Sequence, residues 1–144
     1  MEVQDPQALE RVRQRFLQAA FVIDLGIELL ELGPGWADTA LLVAPRHYQA
    51  ERFIHAGVQS TLADHCAGSA AATLMSAEQT VVTVEYKINF LKPAVGARLR
   101  CRADVLRPGK TLSVAESKVY VDGQSSPVAV ALLTLAVIAA PPAR

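Results

Sequence analysis

Between positions 55 and 65 the chain reads His55-Ala56-Gly57-Val58-Gln59-Ser60-Thr61-Leu62-Ala63-Asp64-His65, the densest polar cluster in an apolar setting. It falls where a polar connecting segment, Pro45 to Ile54, leads into a long helical pattern. That pattern, Val58 to Met75, is dominated by alanine, glycine and serine. The first amides of a helix have no internal partner and lie at the positive end of its dipole. Those of Ala56 and Gly57 could therefore stabilise a developing oxyanion, and their small side chains let a carbonyl approach. Asp64 lies about two turns further in, among Leu62, Ala63, Ala67 and Ala70. A carboxylate there is costly to bury without a use or a partner. It could activate a water as general base, or attack directly as nucleophile. Structural readings stay open beside these: Asp64 as an acid bonded to a strand backbone, His55 as a helix-start side chain bonded locally.

Spacing adds a constraint. Ala56 and Asp64 are eight residues apart, roughly 12 Å along a helix at about 1.5 Å per residue. Both cannot contact one reacting carbon within one chain. Two copies of the helix running antiparallel would bring Ala56 of one subunit beside Asp64 of the other, so an active site here requires at least a dimer. His65 follows Asp64 directly and is expected on a different helix face, pointing outward. Cys66 reads as a small buried residue rather than a nucleophile. His47, His55 and His65 lack metal-ligand spacing, so no metal is expected. No phosphate loop, dinucleotide fingerprint or Gly-x-Ser-x-Gly elbow is present.

The elements that must hold this cluster follow from periodicity. Leu9, Val12, Phe16 and Ala20 recur at helical spacing, which predicts a helix over about 5–20, with Asp5 as cap and Pro6 as first helical residue. Val22 to Leu32 reads as a strand, Gly33-Pro34-Gly35 as a turn and Trp36 to Val43 as the returning strand of a hairpin. After the long helix come four β-like runs, 80–91, 96–107, 111–121 and 127–139. They are bounded by Pro93 with Gly96, by Pro108-Gly109-Lys110 and by Asp122-Gly123. The expected architecture is a single α+β domain over 1–144, with a core at about 22–139. A six-stranded antiparallel sheet wraps one small-residue helix, the last four strands forming a meander.

Composition excludes several classes of function. The chain has 144 residues, 51% hydrophobic and 19% charged, with 14 basic and 14 acidic side chains. Disorder is excluded by the hydrophobic fraction, and generic nucleic-acid binding by the absence of a positive excess. The halves differ: residues 1–64 hold 9 acids and 5 bases, net −4, and residues 65–144 hold 5 acids and 9 bases, net +4. The basic half suits an anionic small molecule or the acidic half of another subunit. Two cysteines, Cys66 and Cys101, form no disulfide framework. The start Met1-Glu2-Val3-Gln4-Asp5 lacks a signal-peptide pattern, and no stretch reads as a membrane span. A soluble, cytoplasmic protein is expected.

With these residues in place the sequence resembles a known family. His55-Ala56-Gly57-Val58, Leu62-Ala63-Asp64 and Gly68-Ser69-Ala70-Ala71 are similar to the hotdog-fold acyl-CoA thioesterases, in the phenylacetate-degradation (PaaI-like) branch. So are Thr83-Val84-Glu85-Tyr86-Lys87-Ile88-Asn89-Phe90-Leu91-Lys92-Pro93-Ala94 and Gly109-Lys110-Thr111-Leu112; together the resemblance covers about 22–138. It implies that Asp64 is the general base or nucleophile and that the Ala56 N–H polarises the thioester carbonyl. Alanine stands at 56 where the family usually has its first glycine. His55 would help place the thioester. Gln49 stands where an asparagine is often found and adds a methylene, and Thr83 stands for a serine on the third strand of some members.

The resemblance further implies antiparallel dimers, commonly paired into tetramers, acting on an acyl-CoA with no separate cofactor. Arg98, Arg100, Arg102, Arg107 and Lys110 would supply charge for the phosphates, and Phe53, Phe90, Leu74 and Met75 are candidates for the acyl wall. The expected activity is hydrolysis of a CoA thioester to a free acid and the thiol. The alternative is a non-catalytic acyl-CoA-binding hotdog protein, a sensor or carrier. Hydratase chemistry on the same fold fits poorly, because adjacent Asp64 and His65 side chains diverge.

Overall fold

The computed structural model describes residues 1–2 and 5–142. Helix α1 (Ala8–Leu17) begins where the Asp5 carboxylate accepts the Gln7 N–H at 2.9 Å and pairs with Arg11 at 2.6 Å. Those two contacts hold the Asp5 carboxyl below its usual pKa, the backbone bond contributing most. Arg11 also donates to the Met75 carbonyl at 3.0 Å, fastening α1 across the chain. One turn apart, Val12 and Phe16 are buried.

The expected helix over 5–20 is α1, shorter at both ends, and a second helix takes the first part of the expected strand. The chain breaks at Gln18 and Ala19 and restarts as α2 (Ala20–Leu25), so the strand expected from Val22 begins only at Ile27. Val22 is buried while Phe21 and Ile23 are exposed, an alternation that imitates a strand over so short a run. Gly26, at φ 91°, ends α2 in the left-handed conformation that glycine adopts freely. Strands β1 (Ile27–Gly33) and β2 (Trp36–Leu42) then form the expected hairpin, with Gly35 at φ 78° in its turn.

Helix α3 (Ala56–Ala72) lies against the sheet through Ala63, Cys66, Ala67, Ala70 and Ala71, small enough to let helix and sheet approach closely. Two buried bonds fix its height. Cys66 Sγ–H donates to the Ala37 carbonyl (3.3 Å), and Ser117 Oγ–H to the Ala63 carbonyl (2.8 Å). Leu62, Leu99, Val119, Leu133 and Leu135 fill the space around it.

Strands β3 (Gln79–Phe90), β4 (Arg98–Arg107), β5 (Leu112–Val121) and β6 (Ala129–Ala139) complete one antiparallel sheet in the order β1-β2-β4-β5-β6-β3. Only β4, β5 and β6 form a meander; the expected four-stranded meander is corrected. The connection 91–97 carries Pro93 and passes beneath the start of α3, where the Ala94 carbonyl accepts the Ile54 N–H at 3.0 Å. β4 is thereby delivered beside β2, and among the described residues β3 pairs with β6 alone, on the far edge. A register shift between Thr83 and Glu85 marks a bulge in β3. The bulge inverts side-chain parity, so Val81 before it and Ile88 after it both pack on the core.

Candidate active site

Asp64 sits on α3 opposite the first half of β3, where its Oδ1 accepts a hydrogen bond from Thr83 Oγ1 at 2.7 Å. The bulge just beyond Thr83 sets that residue's aim. Two residues named from sequence nineteen positions apart are thus brought into contact. Asp64 is no core acid, and among the described residues its partner is the side-chain hydroxyl of Thr83 rather than strand backbone, in a part of the surface open to solvent.

The other half lies at the start of α3. His55 is its N-cap, with φ −58° and ψ 140°, and His55 Nδ1 accepts the Gly57 N–H at 2.8 Å. A neutral ring that accepts at Nδ1 carries its proton on Nε2, which is then a donor. The Val58 and Gln59 amides both bond the His55 carbonyl. The Ala56 N–H has no acceptor among the described residues. Of the two amides singled out from sequence, Ala56 offers the free donor and Gly57 orients the cap. Gln49 is exposed, and its Nε2 donates to Glu51 Oε2 at 2.8 Å; it borders neither cavity described next.

Within one chain the two halves open into different cavities. Asp64 and Thr83 border one of about 260 Å³, together with Val12, Phe16, His65 and Val81. His55 and Gly57 border another of about 360 Å³, with Phe21, Arg46, Tyr48 and Thr61. That separation agrees with the rise of roughly 12 Å between positions 56 and 64. A carbonyl held at Ala56 in one chain does not meet that chain's own Asp64.

His65 departs from expectation. It does not point outward but borders the same cavity as Asp64, edge-on to Phe16 of α1 with ring centroids 4.7 Å apart. Its Nε2 is buried with no hydrogen-bond partner among the described residues. Burial pushes its pKa below the ordinary histidine value, against the opposing pull of the Asp64 charge. His47, by contrast, is a core residue whose two ring nitrogens meet the Ala44 N–H and the Leu25 carbonyl.

The candidates for the acyl wall, which two subunits are expected to shape together, lie apart from Asp64 within one chain. None of Phe53, Phe90, Leu74 and Met75 borders the Asp64 cavity of this chain; Val12, Phe16, Ala72, Val81 and Leu135 do. Val12 and Phe16 carried a helical period in the sequence, yet nothing there says which helix they meet. Of the basic residues proposed for phosphates, Arg98 pairs with Glu28 (3.2 Å). Arg102 pairs with Asp38 and Asp104 and lies 4.1 Å from the Trp36 ring centre. Arg100, Arg107 and Lys110 are exposed. Cys66 and Cys101 are both buried free thiols, and burial pushes the Cys101 thiol well up. No helix among the described residues is long and apolar enough to cross a membrane.

A family model described as the thioesterase superfamily matches residues 52–128. The chain is 37% identical to a crystallised thioesterase family protein of Silicibacter pomeroyi, over 91% of this chain and 98% of that one, at a TM-score of 0.87. A 1,4-dihydroxy-2-naphthoyl-CoA hydrolase of Listeria monocytogenes is 28% identical over 95 residues, 66% of this chain and 77% of that one. The PaaI protein from the phenylacetic acid degradation operon of E. coli shares the fold at a TM-score of 0.84. It covers 92% of this chain and 94% of its own length at 22% identity. The fold is the expected hotdog: a six-stranded antiparallel sheet packed on one long helix.

Proposed function

The chain belongs to the thioesterase superfamily, and from that premise we propose that this thioester hydrolase acts on an acyl-CoA, at a site built from two copies of the chain. The observation that carries the reading is a division of labour along α3. A carboxylate held by the Thr83 hydroxyl stands at one point, and a free amide beside an oriented histidine stands eight residues earlier. Antiparallel apposition of two α3 helices would place Ala56 and His55 of one protomer against Asp64 of its partner, twice over.

The unpaired edge of β3 supports a second copy as neighbour. This strand of 12 residues has Val82, Val84, Tyr86 and Phe90 exposed, with Leu91 just beyond it. Open apolar edges of that length invite pairing with another strand. Joining β3 to its own copy gives a two-fold dimer, and a dimer of dimers remains compatible with it.

In the proposed reaction the thioester carbonyl oxygen accepts the Ala56 N–H, with the His55 Nε2–H directed at the same group. Asp64 of the partner takes a proton from water while the water oxygen bonds to the carbonyl carbon. The resulting oxyanion is stabilised by the Ala56 amide at the positive end of α3. Collapse re-forms the carbonyl, breaks the C–S bond and expels CoA thiolate, which the protonated Asp64 neutralises. The alternative first step, attack by Asp64 itself to form an anhydride, uses the same residues. Water placement by Gln49 requires its amide to leave Glu51, which it bonds at 2.8 Å, and the exposed basic side chains of the second half supply charge for the CoA phosphates. Thr83 holds the carboxylate's orientation. The reduced thiols of Cys66 and Cys101 suit a cytoplasmic setting. CoA being part of the substrate, no further cofactor enters.

Thiol release from acetyl-, hexanoyl-, phenylacetyl- and dodecanoyl-CoA, with Asp64→Asn beside the wild type, tests this reading. Turnover of at least one thioester by the wild type and its loss in the variant is expected. Tight acyl-CoA binding without thiol release would replace the enzyme by a sensor or carrier.

A further inference from the structure

The chain enters α3 through a small hairpin. The His55 N–H donates to the His47 carbonyl at 2.8 Å and the Gln49 N–H to the Phe53 carbonyl at 2.9 Å, with Tyr48 bridged to Ile54 between them. Arg52, at φ 64°, closes the tip in the left-handed conformation, its N–H bonded to the Gln49 carbonyl. The far leg ends on His55, so what holds the near leg holds the helix start. The near leg begins on His47, whose ring has no exposed surface and joins two other parts of the chain. Its Nδ1 accepts the Ala44 N–H at 2.8 Å, just past β2, and its Nε2 lies 2.7 Å from the Leu25 carbonyl, at the end of α2. Only a neutral ring protonated on Nε2 serves both. Arg46 Nε, 3.3 Å from that Nε2, then finds no lone pair there and is a contact, not a bond. A buried imidazole is costly unless both nitrogens are paired. Here one residue ties α2 and the exit of β2 with its ring, and His55 with its carbonyl.

On the acyl-CoA thioesterase reading, on which this inference rests, we propose that His47 is the positioning residue of the oxyanion half of the site, acting through His55 to aim two donors, the His55 Nε2–H and the Ala56 N–H, at one carbonyl oxygen. The other polar groups of His55 are all engaged. Its carbonyl accepts the Val58 and Gln59 amides and its Nδ1 the Gly57 amide, all within α3, while its N–H goes to His47. Among the described residues, the His47 carbonyl is therefore the partner that sets the cap against the body of the fold. Donors of this kind work only when held in place by a supporting layer. A misplacement on the order of 1 Å costs up to about a hundredfold in rate. The hairpin has a separate anchor, since the Ile54 N–H bonds the Ala94 carbonyl at 3.0 Å and Ile54 is buried. Loss of the His47 ring should accordingly tilt the helix start without unfolding it.

The test measures kcat and KM for thiol release in the wild type, His47→Leu, His47→Asn and each of these paired with His55→Ala and with Thr83→Val, with thermal melts to establish folding. His47→Leu leaves the Ala44 N–H and the Leu25 carbonyl without the ring; kcat should fall about tenfold while KM stays within about twofold. His47→Asn keeps an acceptor near the place of Nδ1 and should lose only about threefold. Paired with His55→Ala, the combined loss should fall short of the product of the single losses by about threefold or more, because both changes strike the same donors. Paired with Thr83→Val, on the Asp64 half, the losses should multiply. A folded His47→Leu with kcat within twofold of wild type, a loss confined to KM, or losses that multiply with His55→Ala would overturn the assignment. Coupling to Thr83→Val as strong as that to His55→Ala would overturn it too, since a general loosening couples to both. If His47→Leu does not fold, His47→Asn decides by the same pairings. If the wild type releases thiol from none of acetyl-, hexanoyl-, phenylacetyl- and dodecanoyl-CoA, the thioesterase reading falls and takes the role of His47 with it. If it turns them over and the losses multiply throughout, only the role of His47 falls.

Discussion

Replacing Ala56 with proline isolates the single backbone donor on which the proposed oxyanion site depends. Ala56 is the first residue of α3, a position where proline is favoured because its missing N–H has no helical partner and its fixed φ suits the helix. The residue before a proline must be extended, and His55 already is, at φ −58° and ψ 140°. The cap survives too, because His55 Nδ1 bonds the amide of Gly57 and not that of Ala56. The substitution therefore deletes one donor and leaves the helix, its cap and its side-chain contacts in place. Global stability should change by no more than about 0.5 kcal/mol. Loss of one preorganised oxyanion donor costs about 3 kcal/mol, or roughly a hundredfold in kcat. His55 Nε2–H remains as a second donor, which places the effect at the lower end of that range. Steady-state thiol release on the preferred acyl-CoA, with a thermal melt of the same sample, measures both quantities. A folded Ala56→Pro protein with kcat within threefold of wild type would refute the amide's role. A protein that no longer folds would refute the reading of position 56 as a free helix start.

Other consequences follow from particular contacts. Thr83→Val keeps the shape but removes the hydroxyl donated to Asp64 at 2.7 Å; kcat should fall about fivefold, equivalent to roughly 1 kcal/mol for an exposed bond to a charge, and Thr83→Ser should restore it. Folding lowers the pKa of His65 from its ordinary 6.5, so the folded state disfavours the charged ring. The stability this contributes is present above pH 6.5 and is lost as pH falls through the folded value. Urea unfolding at pH 7.5 and 5.5 should show a decline that is smaller in His65→Leu. Val84→Lys sets a charge on the open β3 edge, and sedimentation should then give the mass of a single 15.4 kDa chain with activity lost in parallel.

What was legible in the sequence followed the strength of local signals. The small residues of 56–72 required a helix buried against something broad, and the turns at Pro108-Gly109 and Asp122-Gly123 set out β4, β5 and β6 nearly to the residue. The position of β3 was not legible. Sequence order makes β3 and β4 neighbours, and only the path of 91–97 beneath the start of α3 separates them. Helix α2 is not legible for a related reason, because alternation over a stretch as short as 20–25 fits both strand and helix. At the site, the residue types of Asp64, Ala56 and His55 and the eight-residue interval were readable. The contact of Asp64 with Thr83 was not, since it depends on a bulge that periodicity does not reveal. Adjacency on a helix predicts that the His65 side chain diverges from that of Asp64. The packing of α1 over α3 turns its ring into the same cavity.

The central claim, a site shared between two chains, is tested most directly by co-expressing two inactive variants, Asp64→Asn and Ala56→Pro. In a mixed dimer one site receives Asp64 from the proline variant and the Ala56 amide from the asparagine variant, while the other site lacks both. Two-fold symmetry and random pairing predict thiol release from the mixture at about a quarter of the wild-type rate per chain. Each variant alone should show on the order of a hundredth of that rate or less. A mixture no more active than its parents would contradict the shared site and place Asp64 and Ala56 in the service of one chain or of none.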